Sequence, residues 1–171
     1  MRILLSPLAL LSLLLTGAIF GFFYAWVCST MWGLDAADPE TAIKAMQAMN
    51  ASVRNGVFAP AFFATPLVSF ATGLVAWSVG ARPAALWFTL AGVVYLFGGM
   101  ILTMVVNVPM NQALALVETP LTKEAALAVW TEYSAPWQLW NIIRTIASGT
   151  ALLLTGVGLL SLPRHNAMQP A

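Results

Sequence analysis

Charge is what this sequence has least of. Only 8% of the 171 residues are Asp, Glu, Lys or Arg, against 60% apolar residues, whereas soluble domains carry about 25% charged residues. A water-facing surface cannot be built from that composition. The formal net charge is +1 and there is no basic run, which excludes nucleic acid as a partner. Cys28 is the single cysteine, so no intrachain disulfide can form, and inside an apolar segment it reads as a small buried hydrophobe. The one histidine, His165, lies in the C-terminal tail. No cluster of Cys, His or carboxylate residues has metal-ligand spacing, so no haem, zinc or copper site is expected, nor any other cofactor. Ser-His-Asp and Cys-His arrangements, a Walker glycine loop and a dinucleotide fingerprint are absent as well. None of the long apolar segments carries a carboxylate within it, which speaks against a proton-coupled pump. Chain length and the few intramembrane charges weigh against a transporter.

What remains is apolar length. Four segments, Ile3 to Trp32, Val57 to Val79, Ala84 to Val106 and Trp140 to Leu162, are each long enough to cross a hydrocarbon core of about 30 Å. They lack the alternation of barrel strands, so they are helices that satisfy their own backbone. The expected fold is all-α, a bundle of four transmembrane helices in one integral membrane domain covering residues 1–171, with the lipid bilayer as its first partner. Arg2 and the following apolar run imitate a signal peptide. The run continues through Phe20, Phe22, Phe23 and Trp26 to Leu34 without a charge, too long for a signal core, and is read as a retained first span.

Arg2, Arg82 in a short turn, and Arg164 with His165 in the tail place basic residues without carboxylates on one side, which is therefore expected to be cytoplasmic and to hold both termini. Asp35, Asp38, Glu40, Glu118, Glu124 and Glu132 all fall in the other two connections. Both of these read as amphipathic helices, over residues 39–55 and 122–135. Asp38-Pro39-Glu40 supplies a cap, a first-turn proline and an acid at the positive helix end. Ile43, Met46, Met49, Val53 and Val57 recur at intervals of three and four and form one apolar face, flanked by Asn50 and Arg54. Ala135-Pro136 is expected to end the second loop helix, with Ser134 as a cap for the fourth span. The two halves echo each other weakly, Asn50 and Arg54 against Asn141 and Arg144, as in a parallel repeat. Gly17 and Gly21 have small-xxx-small spacing, which serves packing within the bundle or, less economically, a homo-oligomer.

Polar residues that lipid tolerates poorly fall at one depth, the outer end. Asn107 and Asn111 share a helix face around Pro109, which frees the carbonyl of Val105; this forms either a polar pocket or a capping device at a kinked helix end. Trp137, Trp140 and Arg144 project from one face of the fourth span, with Asn141 at its edge. An arginine this far inside costs a few kcal/mol unless it finds water, a carboxylate or carbonyls, so Arg144 is expected to face the bundle, while Arg54 lies near enough to the interface to snorkel. Trp26, Trp32, Trp130, Tyr133, Trp137 and Trp140 form an interfacial belt, and those beside Arg144 are also placed to stack on a flat aromatic ligand or on the guanidinium.

Asn107-Val-Pro-Met-Asn111 and Trp140-Asn141-Ile-Ile-Arg144, with Gly21-Phe-Phe-Tyr-Ala-Trp26 and Met49-Asn50 before Arg54-Asn55, resemble the anthrone oxygenase-like family of integral membrane proteins over nearly the whole chain. The resemblance implies a four-helix membrane fold and, for members with an assigned activity, oxidation of a polyketide anthrone by dioxygen to a quinone without metal or flavin. On that resemblance Arg144, with Arg54, would stabilise the developing oxyanion. Asn107, Asn111 and Asn141 would donate hydrogen bonds, and Trp137 and Trp140 would flank the rings, in a pocket bordered by Asn50, Tyr133 and Trp26. The alternative is a non-catalytic membrane protein that binds a lipid, a quinone or another flat apolar molecule, or a partner subunit, in the same pocket.

Overall fold

A computed structural model describes residues 2–163; Arg164, His165 and the side chain of Arg2, on which the expected orientation leans, lie outside that description. The described residues contain helix and no strand. α1 (Arg2–Ala25) runs through a π-helical turn (Trp26–Thr30) into α2 (Met31–Asp35), which makes one rod from Ile3 to Asp35. α3 (Pro39–Ser52) lies in the first long connection and α4 (Phe58–Ser78) returns across the bundle. The third rod joins α5 (Arg82–Tyr95), π-helical turns at Leu96–Ile101 and Thr103–Asn107, and α6 (Val108–Ala115). The last helix, α7, is continuous over Lys123–Leu160. All four rods are long and apolar enough to cross a membrane, and the chain is a multi-pass membrane protein.

The rods pack in a ring, α1 on α4, α4 on α5, α5 on α7 and α7 back on α1. The turn between α4 and α5 is short because Gly80 adopts φ 83, a left-handed conformation open to glycine at little cost. Residues at that end, Leu5, Ala9, Ala81, Ala84 and Phe88, form one apolar cluster. At the opposite, loop-bearing end Met31, Ile43, Met46, Leu114 and Trp130 form another. Large apolar side chains such as Leu14, Leu67, Leu74, Phe97, Ile146 and Leu153 face outward, while Ser12, Thr16, Thr65, Ser69, Thr72, Ser148 and Thr155 are buried within. Lipid supplies no hydrophobic drive between helices, so small and hydroxyl-bearing residues make the contacts. Ser12 and Thr72 share a hydrogen bond of 2.9 Å between α1 and α4. Gly98 faces Ala147 so closely that an added Cβ would lie 2.6 Å from the Ala147 Cβ.

Cys28 is exposed on the outer face of the first rod rather than buried, since lipid accepts a small apolar side chain there, and three further local expectations give way to the structure. The break at Ala135-Pro136 is absent: the second loop helix is the first part of α7, and Ser134 donates to Asp35 Oδ1 at 2.7 Å instead of capping. Proline deprives only the Glu132 carbonyl of its partner, and Glu132 is exposed, where water or headgroups serve it. The first loop helix stops at Ser52 rather than 55, and Val57, assigned to its apolar face, is 86% exposed. Asn55 ends it, donating from Nδ2 to the Ser52 carbonyl at 2.7 Å and accepting at Oδ1 from the N–H groups of Val57 and Phe58, which starts α4. The halves therefore differ in build, one broken after α3 and the other unbroken, so the echo of Asn50 and Arg54 in Asn141 and Arg144 is not an echo of place.

Candidate functional site

A cavity of about 540 Å³ opens at the loop end, roofed by α3 and walled by α1, α4, the third rod and α7. Arg144 forms its deepest charged point, with only 4% of its surface exposed. Its guanidinium carbon lies 4.4 Å from the Phe23 ring centroid and 4.9 Å from that of Trp137. Nε donates to Asn141 Oδ1 at 2.9 Å and Nη1 to Thr103 Oγ1 at 3.3 Å. No carboxylate pairs with it among the described residues. Two ring faces at up to about 2 kcal/mol each are of the same order as the ~3 kcal/mol insertion cost of an arginine. The site can thus hold a guanidinium with its charge uncompensated, and Nη2 has no protein acceptor among the described residues.

Asn141 is buried and does not line the cavity; its Nδ2 donates to the Phe23 carbonyl at 3.2 Å. It ties α7 to α1 just ahead of the π-helical turn and holds Arg144 from behind. Asn111 does line the cavity, and its Oδ1 accepts from the Tyr133 hydroxyl and from Trp137 Nε1, both at 2.8 Å. Asn50 on α3 reaches the Tyr133 hydroxyl at 3.4 Å. Among the described residues Asn111 Nδ2 is left without a protein acceptor at the cavity wall.

Asn107 stands apart. It is fully buried at the end of the π-helical turn before Pro109, and neither of its amide atoms has a partner among the described residues. A buried carboxamide left unpaired costs about 1–3 kcal/mol, and an ordered water satisfies such groups. Arg54 is exposed at the rim, and Trp26 meets Trp137 at a tilt of 60° with ring centroids 5.1 Å apart. Trp140 is half-buried and does not border the cavity. The fold thus gathers Arg144, Asn111, Asn50, Arg54, Trp137 and Trp26 around one hollow, with Tyr133 and Asn141 bracing it and Trp140 outside.

Three contributors escaped the sequence reading. Thr103 is one turn before Asn107, on a stripe of polar residues four apart that ends at Asn111, so spacing could have found it. Phe23 carried no such signal, because nothing distinguishes it from Phe20 and Phe22. Asp35 accepts from Trp130 Nε1 at 3.0 Å, Ser134 Oγ at 2.7 Å and Gln138 Nε2 at 2.8 Å; these three stand four apart along α7, and the carboxylate clamps α2 to them. Among the described residues no three His, Cys, Asp or Glu side chains come together as a metal site.

No curated protein and no solved structure matches the chain. A family model described as anthrone oxygenase matches residues 50–154, a stretch that holds every cavity residue named above except Phe23 and Trp26. On that match, the chain belongs to the anthrone oxygenase family.

Proposed function

We propose that this protein is an integral membrane oxygenase that converts an anthrone-like, electron-rich aromatic to a quinone with dioxygen and no cofactor. The observation that carries the reading is Arg144: a buried guanidinium between two aromatic rings, bonded only to neutral groups. Such a group calls for an anionic ligand with a flat face. An anthrone meets both needs, because loss of a methylene proton places negative charge on its oxygen. Arg144 Nη2 and Asn111 Nδ2 are the donors free to meet that oxygen, and donors fixed in place before charge develops lower the barrier to its formation. Trp137 and Trp26, in contact with each other, offer the substrate rings one aromatic wall.

The carbanion reduces dioxygen, carbon and oxygen join as a hydroperoxide, and loss of water leaves the second carbonyl; one substrate and one O₂ give one quinone and one H₂O. Among the described residues no histidine or carboxylate lines the cavity, so acidity is raised by stabilising the conjugate base, and the proton leaves to water at the mouth. That missing base also supports a second reading, binding of a quinone or related flat molecule without turnover. We place the loop end outside the cytoplasm and both termini within it, from the distribution of basic residues.

Oxygen uptake by purified, chelator-treated protein with an anthrone tests the proposal. Wild type is expected to outpace Arg144→Ala and buffer. Equal rates in all three reject oxidation, and saturable binding of the quinone without turnover leaves the second reading.

A further inference from the structure

The Arg144 cavity continues sideways between α1 and α4. A second cavity of about 500 Å³ lies there, and it shares Phe22, Trp26, Met49, Val53, Asn55 and Phe58 with the first. Of its unshared lining, Ser52 and Val57 stand at the loop end, while the rest leads away from the loops: Ala18 and Ile19 lie one turn further along α1 than Phe22, and Ala61 lies one turn further along α4 than Phe58. Both helices are membrane-spanning by length and composition, and Ala18 is exposed on the outer surface. At that end the groove therefore faces hydrocarbon rather than water. The partition between the two hollows is aromatic. Phe22 and Phe58 meet across the helix gap with centroids 4.7 Å apart, and Phe58 rests on Phe62 at 5.4 Å. Neither phenylalanine has a polar atom in its side chain, so the rings can turn aside without breaking a hydrogen bond.

We propose that this groove is a lateral portal through which a flat, lipid-dissolved aromatic passes from the bilayer to Arg144, with Phe22 and Phe58 as its gate. The proposal rests on the reading of the Arg144 cavity as an aromatic-anion site and narrows its substrate class. From Ala18, Ile19 and Ala61 past Phe22 and Phe58 the path is apolar until its inner end, where Arg144 and Asn111 stand; Asn55 borders both hollows, but its side chain is bonded to the backbone of Ser52, Val57 and Phe58. A neutral polycyclic phenol or ketone that ionises only on arrival fits that order of surfaces. A molecule already charged, or carrying a sugar, does not. The rim at Arg54 and Gly56 is the competing route, from water.

The full chain in phosphatidylcholine vesicles, with 1,8-dihydroxyanthraquinone as probe, separates the routes by stopped-flow quenching of tryptophan fluorescence. Ala18→Phe and Ala61→Phe narrow the groove at positions that do not line the Arg144 cavity. We expect both to slow binding and release by about tenfold with affinity unchanged, since gating changes rates and not the bound state. In wild type the rate should follow the mole fraction of probe in the lipid. Wild-type rates in both variants, with affinity intact, overturn the portal and leave the site reading standing. Absence of saturable quenching in wild type overturns the site reading and the portal together.

Discussion

Asn141 and Arg144 form a single unit: the Asn141 Oδ1 accepts the Arg144 Nε–H at 2.9 Å, and the Asn141 Nδ2 is bonded in turn to the Phe23 carbonyl of α1. The guanidinium is aimed from behind by a residue that the cavity never exposes. Replacing Asn141 by leucine, similar in volume, leaves Arg144 Nε without its acceptor and removes the tie to the Phe23 carbonyl. A loss of about 1–3 kcal/mol in stability is expected, the cost of unsatisfied buried groups, with probe affinity falling in parallel. Unfolding in detergent and quinone titration measure the two.

Arg144→Lys preserves charge and removes the planar fork. An ammonium cannot lie flat between the Phe23 and Trp137 rings while donating to Asn141 and Thr103. Oxygen uptake should fall by about 10²–10³, the usual effect of losing a fixed oxyanion donor. A lysine variant that matches wild type would show that charge alone suffices.

Trp137 does two things that substitutions separate. Trp137→Phe retains a ring near Arg144 and deletes the N–H bonded to Asn111, at about 1 kcal/mol. Trp137→Ala removes a buried aromatic at about 3–5 kcal/mol. The thermal midpoint in detergent should rank wild type, Phe, Ala in that order.

Two glycines test packing. A methyl at Gly98 would meet Ala147 Cβ at 2.6 Å, whereas one at Gly21 meets nothing within 4 Å. Gly98→Ala should destabilise by about 1–3 kcal/mol through overpacking. Gly21→Ala should be neutral or better, since alanine favours a helix by up to about 1 kcal/mol over glycine. Loss of an oligomer on Gly21→Ala, followed by light scattering, would instead assign that face to a second copy.

Glu40 fastens the α3 roof to the loop before α7. Its carboxylate is bonded to Lys44 and accepts the Leu121 N–H at 3.2 Å. The Lys44 hydrogen bond foremost, then that N–H, hold its pKa below the ordinary 4.5. A pKa lower in the folded than in the unfolded state contributes stability above the unfolded value, and that contribution is lost as pH falls through the folded one. The difference in stability between wild type and Glu40→Gln should therefore shrink on acidification across that window, as unfolding at a series of pH values would reveal.

Much of this architecture was legible in residue order. Hydropathy alone marks four rods, because lipid demands that a spanning backbone satisfy itself within runs of about 20 apolar residues. Asp38-Pro39 marks where α3 begins because capping is local chemistry. Pro136 misled, since whether a proline breaks a helix depends on what meets the freed carbonyl, and that is settled by surroundings. Val57 misled because helical periodicity carries on past the point where Asn55 stops the chain.

The sequence by itself determined that an arginine and several carboxamides must share a level of the bundle and turn inward, since the energetic penalty in lipid leaves no other place for them. Only the tertiary structure decided which of them meet. Phe23 and Thr103 converge on Arg144 from two other rods and meet Asn141 of its own helix there, Asn111 joins Tyr133 to Trp137, and Trp140 turns aside. π-helical turns on either side of the site re-aim the helix segments beyond them, and such shifts arise from how whole helices pack, a property no single segment encodes.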